Sequence, residues 1–238
     1  ENADEPTVKN ISFTAEKGQT VAIIGSTGSG KTTLLNLIPR FYDAQEGQIL
    51  IDGIDHREYD LKALRDKIGF AAQKAVLFAG SVADNIAYGL DNATREQVEH
   101  AAQIAQAEDF ILNKIGGYDS PIEQGGQNLS GGQKQRISIA RAVIRRPEFY
   151  LFDDSFSALD FRTDLELRRA LAAETENSTV LIVAQRVSTI MHADQILVLE
   201  RGELVGKGTH QQLMQTCEIY REIVLSQLSE QEATQNGR

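Results

Sequence analysis

One stretch of the chain has the residue types and the spacing needed to hold phosphate groups. It reads Gly25-Ser-Thr-Gly-Ser-Gly-Lys-Thr32 and lies between a strand-like apolar run and a helical pattern, a context that disfavours a chance glycine-rich turn. Glycines let backbone N–H groups turn toward phosphate oxygens, and a helix N-terminus adds partial positive charge. We expect Lys31 to reach the β- and γ-phosphates of a nucleotide and Thr32 to bind Mg²⁺. The predicted phosphate-binding residues are Gly25, Ser26, Thr27, Gly28, Ser29, Gly30, Lys31, Thr32 and Thr33.

An aspartate at the end of a second apolar run is the next candidate. The run reads Phe149-Tyr-Leu-Phe-Asp153. An acid at the end of a buried parallel strand faces the edge of the sheet where open α/β sheets bind ligands, so Asp153 could hold the Mg²⁺ shell. Such a run is common when it stands alone. Its occurrence downstream of a phosphate loop favours the functional interpretation.

A third segment, Leu129-Ser-Gly-Gly-Gln133, opens a predicted helix. The first N–H groups of a helix have no partner inside it, so this segment can present donors to an anion. The alternative is that Ser130 only caps the helix. We expect the serine to cap in either case, but capping alone does not require Gly-Gly-Gln to follow.

Alternating strand and helix patterns must position these segments. Pro39 ends the helix that follows the phosphate loop, and a turn at 200–203 leads into a hairpin strand at 204–205. Because helical patterns at 61–67 and 218–228 also alternate with strands, we predict an α/β fold with a mostly parallel sheet. The predicted strands are 20–24, 48–51, 68–71, 149–152, 180–183 and 195–199.

The middle of the chain has a different pattern. A capping-box sequence at Thr94-Arg-Glu-Gln97 starts an alanine-rich helical pattern that extends to about residue 114, and a second helix is predicted at 131–145. Since strand signals are absent here, we predict a helical subdomain that carries the third segment. The predicted organisation is an ATP-binding core at 1–75 and 149–228, a helical subdomain at 76–148 and a frayed polar tail at 229–238.

Composition restricts the classes of partner. The 238-residue chain has a formal net charge of −10, which disfavours binding to a nucleic-acid backbone. Cys217 is the one cysteine, so no internal disulfide can form, as is typical of a reducing cytosol. No apolar run approaches the ~20 residues of a membrane helix. We therefore expect membrane contact only through another polypeptide or segment.

These motifs, together with Ser157-Ala-Leu-Asp160, resemble the nucleotide-binding domain of ABC transporters over roughly residues 7–228. Leu-Ser-Gly-Gly-Gln separates ABC ATPases from other phosphate-loop proteins. The resemblance implies a P-loop NTPase fold with a RecA-like core and an inserted helical subdomain, and it implies ATP and Mg²⁺ as cofactors. Exporter-like segments are Leu64-Arg65, Ile68-Gly-Phe-Ala-Ala-Gln73, Leu77-Phe-Ala-Gly-Ser81, Asp84-Asn-Ile-Ala-Tyr-Gly89, Gly208-Thr-His210 and Tyr220-Arg221.

The resemblance also implies partners. Two domains would pair head to tail around two ATP molecules at the cytoplasmic face of the cell membrane, with this domain itself soluble. Gln73 would touch Mg²⁺ and sense the transmembrane domains, while Ser157 and Asp160 would contact the second domain. An aromatic strand that stacks on adenine would precede Glu1. The residues expected to contact the partner's ATP are Ser130, Gly131, Gly132 and Gln133.

Two residues depart from the family pattern. Asp154 stands where the family has the glutamate that polarises the attacking water, and its carboxylate is expected to fall roughly 1–1.5 Å short. Losing a general base typically lowers the rate ~10²–10⁴-fold. Gln185 replaces a histidine that contacts the γ-phosphate, and an amide cannot become cationic. We expect His56 and His100 to be solvated, and neither they, His192 nor His210 to replace it.

This pairing of departures with an intact Leu129–Gln133 segment resembles the degenerate chain of heterodimeric bacterial multidrug exporters. It implies a non-identical partner, a slow site on this chain's phosphate loop and a faster site completed by Ser130. A nucleotide-stabilised clamp without productive hydrolysis is the alternative. A soluble ABC ATPase acting on DNA or ribosomes is disfavoured by the acidic charge and the absence of coiled-coil heptads. A kinase or GTPase would have no role for Leu129–Gln133.

Overall fold

A computed structural model describes the backbone of residues 7–236 and the side chains of residues 7–227. Its backbone divides into two compact units. One unit contains the residues up to Leu64 and those from Thr179 onwards, and the other contains residues 65–178. Within the described residues, none of the helices combines the length and the apolar character needed to cross a membrane.

The secondary-structure elements follow one another in the alternating manner that the sequence predicts. The strands in the described residues are β1 Thr20–Gly25, β2 Leu50–Ile51, β3 Ile54–Asp55, β4 Ile68–Ala71, β5 Gly80–Ser81, β6 Pro121–Ile122, β7 Phe149–Asp153, β8 Thr179–Val183, β9 Gln195–Glu200 and β10 Glu203–Gly208. The α-helices there are α1 Lys31–Leu37, α2 Leu61–Asp66, α3 Val82–Ala87, α4 Arg95–Ile104, α5 Glu108–Leu112, α6 Gly131–Val143, α7 Phe161–Glu174, α8 Val187–Ile190, α9 His210–Thr216 and α10 Glu218–Asn236. Short 3₁₀ helices cover His56–Glu58, Gly117–Asp119 and Gln124–Gly126.

The first unit is built on four strands in the order β10-β9-β1-β8. β1 runs parallel to both β8 and β9, while β10 pairs antiparallel with β9. The four residues from Val21 to Ile24 are all buried, as expected of a parallel strand covered on both faces. The carboxyl end of β1 leads directly into the phosphate loop, which the buried strand therefore holds at the edge of the sheet.

The second unit pairs β4 with β7 in parallel, with Ile68 opposite Phe149 and Ala71 opposite Phe152. α6 packs on β4, and α3 and α4 pack on α6. A Cβ on Gly69 would lie 2.4 Å from the carbonyl oxygen of Ala142, so a glycine at this position lets α6 lie directly against β4. This close approach lies near the end of α6. Nearer its start, Nε2 of Gln135 donates to the carbonyl oxygen of Ala72 at 2.9 Å and ties the helix that carries the predicted anion-binding segment to the residue after β4.

The α/β prediction with a mostly parallel sheet is confirmed, but three local predictions are wrong. The helix predicted from residue 94 to about 114 is two helices, because Gln106 adopts a left-handed φ of 54° without any glycine or proline to mark the break. The middle region also contains the antiparallel pair β5–β6, whose two-residue strands carry too little pattern to be recognised. The final helix continues to Asn236, since Glu, Gln and Ala favour helix even where no apolar stripe remains.

Candidate functional site

The phosphate loop closes around the ammonium group of Lys31. Its Nζ donates to the carbonyl oxygens of Gly25 at 2.8 Å and Ser26 at 2.7 Å, and lies 3.4 Å from Oγ of Ser29. Lys31 is the first residue of α1, so its charge lies at the positive end of that helix. The geometry places a cation, a helix N-terminus and the loop backbone together, as an anion site requires.

Two left-handed glycines give this loop its shape. Gly28 has φ 81° and Gly30 has φ 93°, values that residues with a Cβ rarely adopt. A Cβ on Gly30 would also lie 2.5 Å from Cγ1 of Val8, whereas a Cβ on Gly28 would meet no atom within 4 Å. Left-handed residues in such a loop turn successive N–H groups toward one point and form an anion-binding nest. The loop residues therefore fit a nucleotide phosphate.

Two adjacent aspartates end β7 in the second unit. Asp153 and Asp154 are 3% and 7% exposed, and Asp154 has a left-handed φ of 49°. Gln73 lies after the neighbouring strand β4, and its Nε2 donates to Oδ2 of Asp154 at 3.4 Å. Ser155 fixes this end of β7, because its hydroxyl donates to the carbonyl oxygen of Ala71 at 2.8 Å. The parallel pairing of β4 and β7 thus brings Gln73 and Asp154 together, as the sequence positions require.

Asp153 and Asp154 could bind Mg²⁺ only together with further ligands. Carboxylate and amide oxygens are hard ligands of the kind Mg²⁺ prefers. Within the described residues, no cluster of three or more His, Cys, Asp or Glu side chains could hold a metal ion. Mg²⁺ commonly takes one or two carboxylates together with substrate phosphates and water. Asp153 therefore fits a metal that arrives with a nucleotide.

The Leu129–Gln133 segment forms a complete capping box. Oγ of Ser130 accepts from the N–H of Gln133 at 3.2 Å, and Oε1 of Gln133 accepts from the N–H of Ser130 at 3.0 Å. The expected capping role of Ser130 is confirmed. The first N–H groups of α6, on Gly131 and Gly132, have no acceptor inside the helix. With the Ser130 hydroxyl hydrogen, they are the donors that this segment can offer to an anion.

The two glycines of this segment have different surroundings. A Cβ on Gly132 would lie 3.1 Å from the carbonyl oxygen of Ala158, so contacts within the unit restrict this position. A Cβ on Gly131 would meet no atom within 4 Å. Packing within the described residues therefore does not explain the glycine at position 131.

Ser157 and Asp160 shape the segment between β7 and α7. Ser157 is exposed, and its hydroxyl donates to the carbonyl oxygen of Asp154 at 2.9 Å. Asp160 caps α7 by accepting from the N–H and the hydroxyl of Thr163 at 3.0 and 2.7 Å. These hydrogen bonds lower the pKa of the Asp160 carboxyl. Asp160 therefore has a structural role that the sequence analysis did not predict.

Gln185 lies in the first unit, on the turn between β8 and α8, and is exposed. Nε2 of Gln227 donates to the carbonyl oxygen of Gln185 at 2.7 Å, and Oε1 of Gln227 accepts from the N–H of Val187 at 2.8 Å. The role of Gln227 could not be predicted from the sequence, because nothing in the pattern of the last helix distinguishes it from its polar neighbours.

The expectation that His56 is solvated is wrong. His56 is 1% exposed, and its Nδ1 lies 3.4 Å from the carbonyl oxygen of Ile38. His56 begins the 3₁₀ helix His56–Glu58 directly after β3, and the carbonyl oxygen of Ile38 gives the buried ring a polar partner. His100 is partly exposed beside Glu174, and Nδ1 of His210 lies 2.8 Å from the hydroxyl of Tyr220. These three rings are thus engaged in contacts of their own.

A family profile described as "ABC transporter" matches residues 8–157. An uncharacterized ABC transporter ATP-binding protein of Bacillus subtilis (strain 168), YfiB, is 47% identical over 224 residues, covering 94% of this chain and 39% of that protein. A putative multidrug export ATP-binding/permease protein of Staphylococcus aureus (strain NCTC 8325 / PS 47) is 46% identical over 211 residues, covering 89% of this chain and 36% of that protein. The chain thus spans less than half the length of these relatives.

A solved structure described as a bacterial Atm1-family ABC exporter with ATP bound is also similar. It is 40% identical, and the TM-score is 0.92 over 95% of this chain and 40% of that one. An agreement of this quality shows that the two proteins share a fold across nearly the whole of the present chain.

Proposed function

This chain belongs to the ABC transporter family, and we propose that it binds Mg-ATP and energises export through membrane-spanning partners. One observation carries the proposal. The Lys31 ammonium, the left-handed glycines and the start of α1 form a site with the charge and the shape for nucleotide phosphates. ATP with Mg²⁺, when bound, would supply the free energy of phosphoryl transfer to water, and this chain's residues would bind and orient it.

Each predicted site residue has a proposed role within its own unit. In the first unit, Lys31 would neutralise the β- and γ-phosphates, and Thr32, exposed in the first turn of α1, would join the Mg²⁺ shell. In the second unit, Asp153 and Gln73 are proposed as oxygen ligands of Mg²⁺. The predicted boundaries at 1–75, 76–148 and 149–228 are proposed as the functional subdomains.

A second ABC domain is the proposed partner at Leu129–Gln133. The Ser130 hydroxyl and the N–H groups of Gly131 and Gly132 are the donors that would contact the γ-phosphate bound by that domain. The unrestricted Cβ position of Gly131 supports an approach from outside this chain. Gln133 would act through its capping of Ser130, and Ser157 and Asp160 would contact the second domain.

We propose further that this chain is the degenerate half of a non-identical pair. The Asp154 carboxylate is short for general-base work and accepts a weak hydrogen bond from Gln73 at 3.4 Å, and the Gln185 amide cannot become cationic. The phosphate loop of this chain would then bind Mg-ATP and hydrolyse it slowly. The site completed by Ser130 on the partner's phosphate loop would carry most of the turnover.

The proposed contact with membrane-spanning partners lies in the second unit at the cytoplasmic face of the membrane. Phe78 and Tyr88 are 39% and 56% exposed and stack with ring centroids 4.6 Å apart. The guanidinium of Arg141 lies over both rings, and Val76 is 58% exposed beside the same segment. Exposed apolar groups that cluster in this way are typical of an interaction surface. The multidrug export relative and the exporter structure support a transporter as the partner.

A nucleotide-stabilised clamp without productive hydrolysis is the second candidate function. Asp154 and Gln185 favour it for this chain taken alone. The two proposals differ because a clamp would give no stimulation of a partner's ATPase activity.

Steady-state Mg-ATP hydrolysis tests the degenerate-site proposal. We would compare the chain with the double variant Asp154→Glu, Gln185→His at high protein concentration, where two identical domains can pair. A low rate that rises about tenfold or more, equivalent to about 1.4 kcal/mol of barrier, is the expected result. Equal rates would show that Asp154 and Gln185 are competent. A variant that binds ATP but stays inactive would instead point to a requirement for the non-identical partner.

A further inference from the structure

The two hydrogen bonds of Gln227 join the last helix to the turn that carries Gln185. They reach the carbonyl oxygen before Arg186, at 2.7 Å, and the N–H after it, at 2.8 Å. Both distances are short for amide hydrogen bonds. A single side chain therefore holds the backbone on both sides of one residue, at the point where β8 passes into α8.

The N-cap residue of α8 does not cap this helix with its own side chain. The N-cap residue Arg186 makes no side-chain cap hydrogen bond, and a guanidinium has no acceptor to offer. The N–H of Val187 at the start of α8 would otherwise need water. Gln227 supplies the acceptor, and the donor on the same amide satisfies the Gln185 carbonyl. A side-chain amide presents an N–H donor and a C=O acceptor side by side without a charge, which suits these two backbone groups.

The helix that carries Gln227 is itself anchored in the first unit. Tyr220 is fully buried, and its hydroxyl lies 2.8 Å from Nδ1 of His210 at the start of α9. Val224, one helical turn before Gln227, is 6% exposed. α10 also packs against α8 and α9. The amide of Gln227 therefore extends from a fixed part of α10.

We propose that Gln227 is a positioning residue for nucleotide sensing, which acts by holding the Gln185 turn in place. This inference rests on the proposed function, and it takes the side-chain amide of Gln185, at the position of the family's histidine, to donate to the γ-phosphate. Release of α10 would free the turn and weaken that contact. The last helix is thereby a second place from which the response of the domain to ATP can be altered.

Two measurements on the chain test this proposal, and the first does not depend on nucleotide. We call the two hydrogen bonds of Gln227 to the Gln185 turn the latch. The hydrogen-exchange rate of the Val187 N–H, followed by NMR without ligand, reports directly on one of them. We expect Gln227→Ala to speed this exchange about tenfold, the effect of losing about 1.4 kcal/mol. Gln227→Glu keeps the acceptor and should leave the exchange near that of the parent chain. Gln215→Ala, the same substitution at an exposed position of α9, is the matched control.

The second measurement is the ratio of the dissociation constants for ADP and ATP. Only ATP has the γ-phosphate, so general destabilisation would affect both constants, whereas loss of a γ-phosphate contact lowers the ratio. We expect Gln185→Ala, Gln227→Ala and Gln227→Glu each to lower it about threefold or more, and the double variant Gln185→Ala, Gln227→Ala to add little further. Thermal unfolding would check that each variant is folded.

The two measurements test separately whether the Gln227 hydrogen bonds hold the turn and whether they affect nucleotide sensing. Unchanged Val187 exchange in Gln227→Ala overturns the latch. Faster exchange with an unchanged ADP-to-ATP ratio, while Gln185→Ala lowers that ratio, overturns the positioning role. If Gln185→Ala itself leaves the ratio unchanged, the γ-phosphate role given to Gln185 fails, and the inference resting on it fails as well. The exchange data would then still decide whether the latch exists.

Discussion

The side-chain amide of Gln73 donates to Oδ2 of Asp154 across 3.4 Å, so the proposed Mg²⁺ sensor touches the residue at the general-base position. The distance is at the long end for a hydrogen bond, and such a contact is weak. A weak contact can exchange for another without a large penalty. The pair could therefore separate when a ligand competes for either side chain.

Replacing Gln73 with methionine tests this relationship. Methionine has a similar length but no donor, so Gln73→Met removes the contact to Asp154 and any oxygen ligation. In the Asp154→Glu, Gln185→His background, we expect ATP hydrolysis to fall about tenfold, or about 1.4 kcal/mol, with ATP affinity changed less than about twofold. Gln45→Met, at an exposed position, is the control. An equal loss of affinity would assign Gln73 to binding instead.

Lys31→Met should abolish most ATP binding. The ammonium is the one charged group shown inside the phosphate loop, and charge-assisted hydrogen bonds contribute about 1.5–3 kcal/mol. We expect the dissociation constant for ATP to rise about 10- to 100-fold in equilibrium titrations. Lys17→Met removes one positive charge at an exposed position and should leave binding almost unchanged. If both variants lose affinity equally, net charge and not the loop would be responsible.

We expect Gly131→Ala to weaken pairing with a second ABC domain without destabilising the fold. Because a Cβ here meets no atom within 4 Å and alanine favours helix, we expect the free energy of unfolding to be unchanged or up to about 1 kcal/mol higher. ATP-driven association with a second ABC domain should weaken, since the methyl group would lie where the partner's phosphate approaches. Chemical denaturation and sedimentation would measure the two effects. Normal association with normal ATPase activity would contradict the proposed contact.

We expect Asp55→Asn to lower the free energy of unfolding at neutral pH but not at strongly acidic pH. Arg57 bonds the Asp55 carboxylate through its side chain and its N–H and lowers the pKa of that carboxyl from 3.8 to about 2. A lowered folded-state pKa adds stability above the unfolded pKa, and this stability is lost as pH falls from about 4 to about 2. Unfolding of both proteins should therefore differ most at neutral pH and converge near pH 2. If the difference in unfolding free energy between the two proteins did not change with pH, the charge of the carboxylate would not be its cause.

The parts of the site that could be predicted from the sequence are those whose residues are consecutive in the chain. Glycines before Lys31 and a serine before Gly131 specify their local backbone, so the phosphate loop and the capping box could be anticipated. Gln227 could not, because its contact with the Gln185 turn depends on where α10 packs. The helix break at Gln106 could not be predicted for a related reason. Glutamine does not itself prefer a left-handed backbone, and the carbonyl oxygen of Gln106 accepts from the distant Arg136 at 2.6 Å, a contact that the local sequence does not reveal.

The left-handed backbone of Asp154 affects which side chains this position can accept without strain. Aspartate is among the residues that tolerate φ near 49°, whereas a longer side chain accepts it less readily. Asp154→Glu would therefore supply a longer carboxylate for hydrolysis but would add backbone strain at this residue. If Asp154→Glu speeds hydrolysis as proposed, the same substitution should lower the free energy of unfolding, an activity–stability trade-off at one residue.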